Sequence, residues 1–254
     1  MLGFAAPPPL TGRARSTRSL HRPFTPLCTQ APPTKPKSRP NVSAPTATTY
    51  NDGRLALATI ALFRRAMRPY VGWTSPRAGY SGFVEECRML MARVGPAEQQ
   101  RVVRKTLDML FVAPYGSTAF KTAFAHPQLN ARITPAVFQW LVGPCETNRP
   151  PEGGWGVKID KCRFLDESGC KGLCVNMCQQ PTQNYFTDVL GLPVRMTPDY
   201  EDKSCQMTFG VAPLPLEDDP AISGECFVDC KMSGSVKQRD ATCYVTGRPN
   251  KNKR

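Results

Sequence analysis

Four thiols fall within seventeen positions in the run CRFLDESGCKGLCVNMC: Cys162, Cys170, Cys174 and Cys178. Thiols this close do one of three things: they staple the chain as disulfides, hold a structural metal, or hold a metal that does redox or catalytic work. On a helix, Cys170, Cys174 and Cys178 at i, i+4 and i+8 drift by only about 40° per step and share one stripe, neighbours about 6 Å apart. Adjacent pairs can share an ion, but the outer two stand roughly 12 Å apart and do not meet on one. Gly169 and Gly172 weaken the first turn and Pro181 closes the stretch, so an alternative brings Cys170 in from a loop. Cys162 and the later Cys205, Cys226 and Cys230 are candidates for the remaining ligands.

The chain has eleven cysteines, nine of them between residues 145 and 243. The odd count and a length of 254 residues, sufficient for a real core, argue against a secreted disulfide framework. Cys87 sits on the apolar face of a helix, as a small buried hydrophobe. No C-x2-C pair of the zinc-finger kind occurs, whereas iron–sulfur sites take all-cysteine sets with varied spacing. Only His21 and His126 exist, which excludes a four-histidine or two-histidine-one-carboxylate iron centre within a monomer. Carboxylates in PDYEDKSC (Asp199, Glu201, Asp202) are further candidate ligands, and Glu201 and Asp202 are candidate acids.

The elements that must carry these groups are helical first. NDGRLALATIALFRRAM has Asn51 and Asp52 as candidate caps, and Leu55, Ile60, Phe63 and Met67 as its apolar face. SGFVEECRMLMARVG opens at Ser81 and stops at Gly95, PAEQQRVVRKTLDMLFV starts at Pro96, and TPAVFQWLVG starts at Thr134 and Pro135. From residue 143 the texture turns to Gly, Pro, Cys and Asp, with Val157 and Ile159 alternating as a short strand would. The expected fold is mainly α with a small α+β, cysteine-rich, loop-rich and metal-binding C-terminal part. The expected division is 1–48 a plastid transit peptide or disordered tail, 49–143 a helical domain, 144–230 the cysteine-rich domain, and 231–254 a basic disordered tail.

The net charge of +13 divides into +7 over residues 1–49, +6 over 231–254 and zero over 50–230. The body is not basic, so nucleic acid is not an expected partner. The acid-free first segment carries ten prolines between Pro7 and Pro45, which forbid an amphipathic mitochondrial presequence and favour a plastid one. The best apolar run, LALATIALF, is far short of a bilayer span.

The runs WLVGPCETN, GVKIDKCRFLDESGCKGLCVNMCQQPTQNYFTDVLGLPVRMTPDYEDKSCQMTFG and PLEDDP resemble the C-terminal domain of the plastid beta-carotene isomerase family, the Dwarf twenty-seven type, over about residues 139–220. The resemblance implies a plastid, iron-containing enzyme that interconverts all-trans- and 9-cis-beta-carotene, the reaction that opens the strigolactone route in land plants. It carries over Cys162, Cys170, Cys174, Cys178 and Cys205, Pro181-Thr182-Gln183 and Tyr200-Glu201-Asp202, and leaves open whether the iron is a mononuclear thiolate or an iron–sulfur cluster.

Rotating a polyene double bond requires its bond order to fall, through transfer of one electron or of a proton. Thiolate-held iron supplies the first; a buried carboxylic acid such as Glu201 or Asp202 supplies the second. A hydrocarbon substrate demands an apolar tunnel and peripheral contact with the plastid membrane. The rival readings are a zinc- or disulfide-stabilised binding module without catalysis, and an iron–sulfur electron carrier.

Overall fold

Ile60, Phe63, Met67 and Val71 recur every three or four residues along Arg54–Val71 (α1), and all four are buried. The computed structural model describes residues 50–112, 117–223 and 226–232; the expected transit peptide and all but the first two residues of the expected basic tail lie outside them. α1 packs on Gly79–Arg93 (α2), whose Phe83, Cys87, Leu90 and Met91 face inward, and on Pro96–Leu107 (α3). A wide helical turn, Asp108–Val112, extends α3. Ser117–Phe124 (α4), which periodicity did not anticipate, and Pro127–Val142 (α5) complete the helical half.

α5 begins earlier than Thr134, so Pro135 lies inside it. Proline has no N–H for the carbonyl of Ala131, one turn back. Thr147 Oγ1 supplies the missing donor at 2.6 Å, tying the helix to the strand Cys145–Asn148 (β1). β1 pairs with Trp155–Ile159 (β2), the strand expected from Val157 and Ile159. Val194–Pro198 (β3) and Cys205–Phe209 (β4) complete an antiparallel sheet in the order β1-β2-β4-β3. The period of two turns Val157, Ile159, Val194, Met196, Cys205, Met207 and Phe209 into the core.

Between β2 and β3 run Arg163–Ser168 (α6) and a continuous helical stretch over 171–190. The latter comprises Lys171–Cys174 (α7), a widened turn Val175–Gln179, Gln180–Tyr185 (α8) and a second widened turn Phe186–Leu190. The first widening precedes Pro181, which cannot donate to the carbonyl four residues back; the Gln180 N–H reaches Val175 O instead. The expected loop-rich character of this part is therefore corrected. The segment after 143 folds as helices and a four-stranded sheet, and one apolar cluster runs from Ile60 through Cys230 across both halves.

Asp52 does not cap α1, whose first turn follows Gly53. Its carboxylate accepts from Arg163 Nη1 at 2.6 Å and Nη2 at 2.9 Å. Arg163 also donates to Glu167 Oε1 at 2.8 Å and Trp140 O at 3.3 Å, and its guanidinium lies 3.7 Å from the Tyr80 ring centroid. One 5%-exposed side chain thus joins the entry to α1, the end of α5, α2 and α6. Arg163→Met leaves the Asp52 carboxylate and Trp140 carbonyl without these donors and is expected to cost about 3 kcal/mol in urea unfolding followed by circular dichroism; a loss below about 1 kcal/mol would deny the hub its role.

Candidate active site

Gly169 takes φ +54° to end α6, and the chain leaves it extended through Cys170. Cys170 therefore comes from a turn rather than from the helical stripe. It is completely buried, its thiol donating to Met91 Sδ at 3.8 Å, and the Cys230 and Cys226 thiols act on it. The Lys231 N–H donates to Gly169 O at 3.3 Å and fixes this end.

Cys162, Cys174, Cys178 and Cys205 form a different group. All four line one closed apolar hole of about 10 Å³, with Val142, Ile159, Phe164, Leu165, Gln179, Met196 and Pro198. Cys162 caps α6, Cys174 and Cys178 come from the 171–190 helix, and Cys205 opens β4. Burial pushes each thiol up first. The neighbouring sulfurs push Cys174, Cys178 and Cys205 further, Cys178 reaching about 12, while backbone N–H groups of Leu165 and Phe164 partly offset the rise at Cys162. Tyr200 contributes a side-chain hydrogen bond to Cys174 and donates to Ala221 O at 3.0 Å.

The seven-cysteine candidate set therefore divides in two, four thiols in one place and Cys170, Cys226 and Cys230 in another. Among the described residues no group of three or more His, Cys, Asp or Glu is disposed to hold a metal ion. Four cysteines around one hole match a tetrathiolate iron or an iron–sulfur group in kind and number, and the hole as closed has room for about one water.

The neighbouring cavity is larger, about 160 Å³, and lies between the helices and the sheet. Its wall holds seven phenylalanines (Phe63, Phe83, Phe111, Phe124, Phe138, Phe164, Phe186) and four methionines (Met67, Met177, Met196, Met207). The polar exceptions are Thr106, Asn130, Thr134, Thr182 and Tyr185, with the thiols of Cys87 and Cys178; no carboxylate is among them. Cys178 lines both cavities. Glu201 and Asp202 line neither and are exposed. Asp202 Oδ1 accepts from the Ser204 N–H at 2.7 Å and Asp199 Oδ1 from the Glu201 N–H at 2.8 Å, as turn-forming side chains do.

The motif PTQ has a structural part. Gln183 Oε1 accepts from the Met196 N–H at 2.8 Å, and Gln179 Nε2 donates to Met196 O at 3.0 Å. Sequence reasoning missed this clasp and the cavity wall. The signal for the wall was the spacing of Cys178, Thr182, Tyr185 and Phe186 at i, i+4, i+7 and i+8.

A family model described as Beta-carotene isomerase D27-like, C-terminal, matches residues 140–218. A Medicago truncatula protein, Beta-carotene isomerase D27, chloroplastic, is 31% identical over 191 residues, covering 72% of this chain and 75% of the relative. The chain belongs to the beta-carotene isomerase D27 family. The Arabidopsis thaliana protein of the same name is 34% identical over 169 residues, 64% of each chain. No solved structure matches the chain.

The family match spans the whole four-thiol group and both clasping glutamines, while α1 to α4 lie N-terminal to it. The buried thiols also set a pH dependence. Unfolding returns each to an ordinary value near 8.5, below its folded one, so the folded protein holds these protons more tightly. Their contribution is present below pH 8.5 and is lost as pH rises toward the folded values. The melting temperature of metal-free protein is expected to fall between pH 8 and pH 10, and a flat profile there would mean the thiols are not buried as described.

Proposed function

We propose that the protein is a plastid carotenoid cis/trans isomerase that interconverts all-trans- and 9-cis-beta-carotene. Its family makes it an isomerase of chloroplast type. The observation that carries the reading further is the position of Cys178, in the wall of an apolar cavity and of a four-thiol hole at once.

A polyene needs a dry site with aromatic and thioether walls, and this cavity offers one to a segment of the chain. The wall excludes water and holds the chain straight apart from the bond that turns. Proton transfer from a carboxylic acid has no donor in the described wall, which favours the one-electron route over Glu201 or Asp202. Cys162, Cys174, Cys178 and Cys205 would hold iron, as a mononuclear thiolate or an iron–sulfur cluster, which would supply reversible one-electron chemistry beside the substrate. Cys170, Cys226 and Cys230 fall outside that set. Met109, Leu129 and Val137 are exposed on elements that flank the cavity and support peripheral membrane contact for loading. No helix among the described residues is long and apolar enough to cross a membrane.

The test uses anaerobically purified full-length protein with all-trans-beta-carotene in micelles, and counts 9-cis product by chromatography. Product is expected without oxygen. Cys174→Ser is expected to lose bound iron and at least about tenfold in rate, while Cys87→Ala keeps its iron and loses about 1–2 kcal/mol of stability. Equal iron loss from both would misplace the site, and full activity after iron removal with the fold intact would overturn the redox route.

A further inference from the structure

The motif Tyr200-Glu201-Asp202 divides in the structure. Glu201 and Asp202 face water, while Tyr200 packs its ring against the core. Its Oη donates to Ala221 O at 3.0 Å, Phe227 meets the ring edge-on with centroids 6.0 Å apart, and Lys171 Nζ lies 4.6 Å from the ring centroid. Lys171 is only 3% exposed, and its Nζ also donates to Ser223 O. It stands three residues before Cys174 on α7, so the two share a face of the helix. Tyr200 is thereby set on the side of the helix that carries Cys174, with which it shares a side-chain hydrogen bond. The Lys171 charge and the Cys174 sulfur also act on one another.

We propose that Tyr200, backed by Lys171, is the positioning residue that sets how readily iron at the four-thiol site accepts an electron. This rests on the iron-thiolate reading above and names the residues that tune it. A phenol has one hydrogen and two lone pairs. While Cys174 is a thiol it donates its own hydrogen to Oη, and the phenol serves Ala221. A sulfur bound to a metal only accepts, and as a charged acceptor it draws the phenol hydrogen away from the carbonyl. Four thiolates make the site negative before any electron arrives, and an electron gained adds to that charge. A hydrogen bond to one of these sulfurs, with an ammonium held beside its donor, favours the reduced state over the oxidised one and raises the potential. Cys162 and Cys205 are served by backbone N–H groups, which no substitution removes, so Tyr200 is a side-chain lever on the site.

The experiment measures the reduction potential of iron in anaerobically purified full-length protein by optical redox titration. Tyr200→Phe keeps the ring between Lys171 and Phe227; iron analysis and a thermal melt check its content and fold. It is expected to keep its iron and to bind the electron about tenfold less tightly, a fall of about 59 mV for a one-electron couple. Lys171→Gln is expected to lower the potential in the same direction, and carries the test alone if Tyr200→Phe does not fold. Glu201→Gln, in the water-facing part of the same motif, is expected to leave the potential where it was. An unchanged potential in Tyr200→Phe or in Lys171→Gln overturns this inference alone, and so does an equal fall in Glu201→Gln. Loss of iron from a folded Tyr200→Phe also overturns it, because the phenol would then hold the site together rather than tune it. A wild type that binds no iron removes the iron-thiolate reading and the inference with it.

Discussion

Two glutamine side chains that bond a helix to an edge strand set where the candidate site of this protein lies. β3 is the last strand of the sheet, and its outward N–H and C=O at Met196 would otherwise face a helix with no backbone partner. Gln183 accepts from the N–H and Gln179 donates to the C=O, as a neighbouring strand would. A helix cannot normally be hydrogen-bonded along a sheet edge. Here it is, and the bonds set the 171–190 helix both in depth and in rotation against the sheet. Cys178, between the two cavities, and Met196, in the walls of both, have the positions they do because of that register. Asp219 tightens the arrangement by accepting from Gln179 at 3.0 Å and Gln180 at 3.4 Å.

The widened turn before Pro181 completes the placement. In a regular α-helix Cys170, Cys174 and Cys178 would form one stripe with equivalent surroundings. Gly169 takes Cys170 out of the stripe, and the widening lets Cys178 border the channel while Cys174 stays in the hole. The outcome is asymmetric, with three thiols behind the wall and one in it. The channel therefore meets the four-thiol group at a single sulfur.

The cysteine spacing, the helical periodicity of α1 to α3 and the strand at Val157 and Ile159 were legible in the sequence because each depends on neighbours a turn or two away. That Cys170 could come from a turn was legible in Gly169 and Gly172; its place beside Cys230, sixty residues on, was not. Asp52 looked like a cap because its local setting suits one; a long-range arginine claimed it. Glu201 and Asp202 drew notice by standing next to Cys205, yet adjacency in a turn puts successive side chains in different surroundings, and these two face water. The cavity wall was the least legible part. It draws on α1 to α6, the Asp108–Val112 turn, the 171–190 helix and two strands, so no single segment carries its pattern.

The composition of that wall bears on how a double bond is made to turn. A polyene that has gained or lost an electron carries its charge over many carbons, and a fixed carboxylate beside it would bind that charge at one end and restore alternation of the bonds. Phenylalanine faces and methionine sulfurs respond to charge by polarising wherever it lies. Seven of the first and four of the second surround this channel, with no described ionised group in the lining. Such a wall lowers the cost of a delocalised charge without localising it, which keeps several bonds weak at once. Selection of the bond that turns then falls to whatever fixes the ends of the substrate.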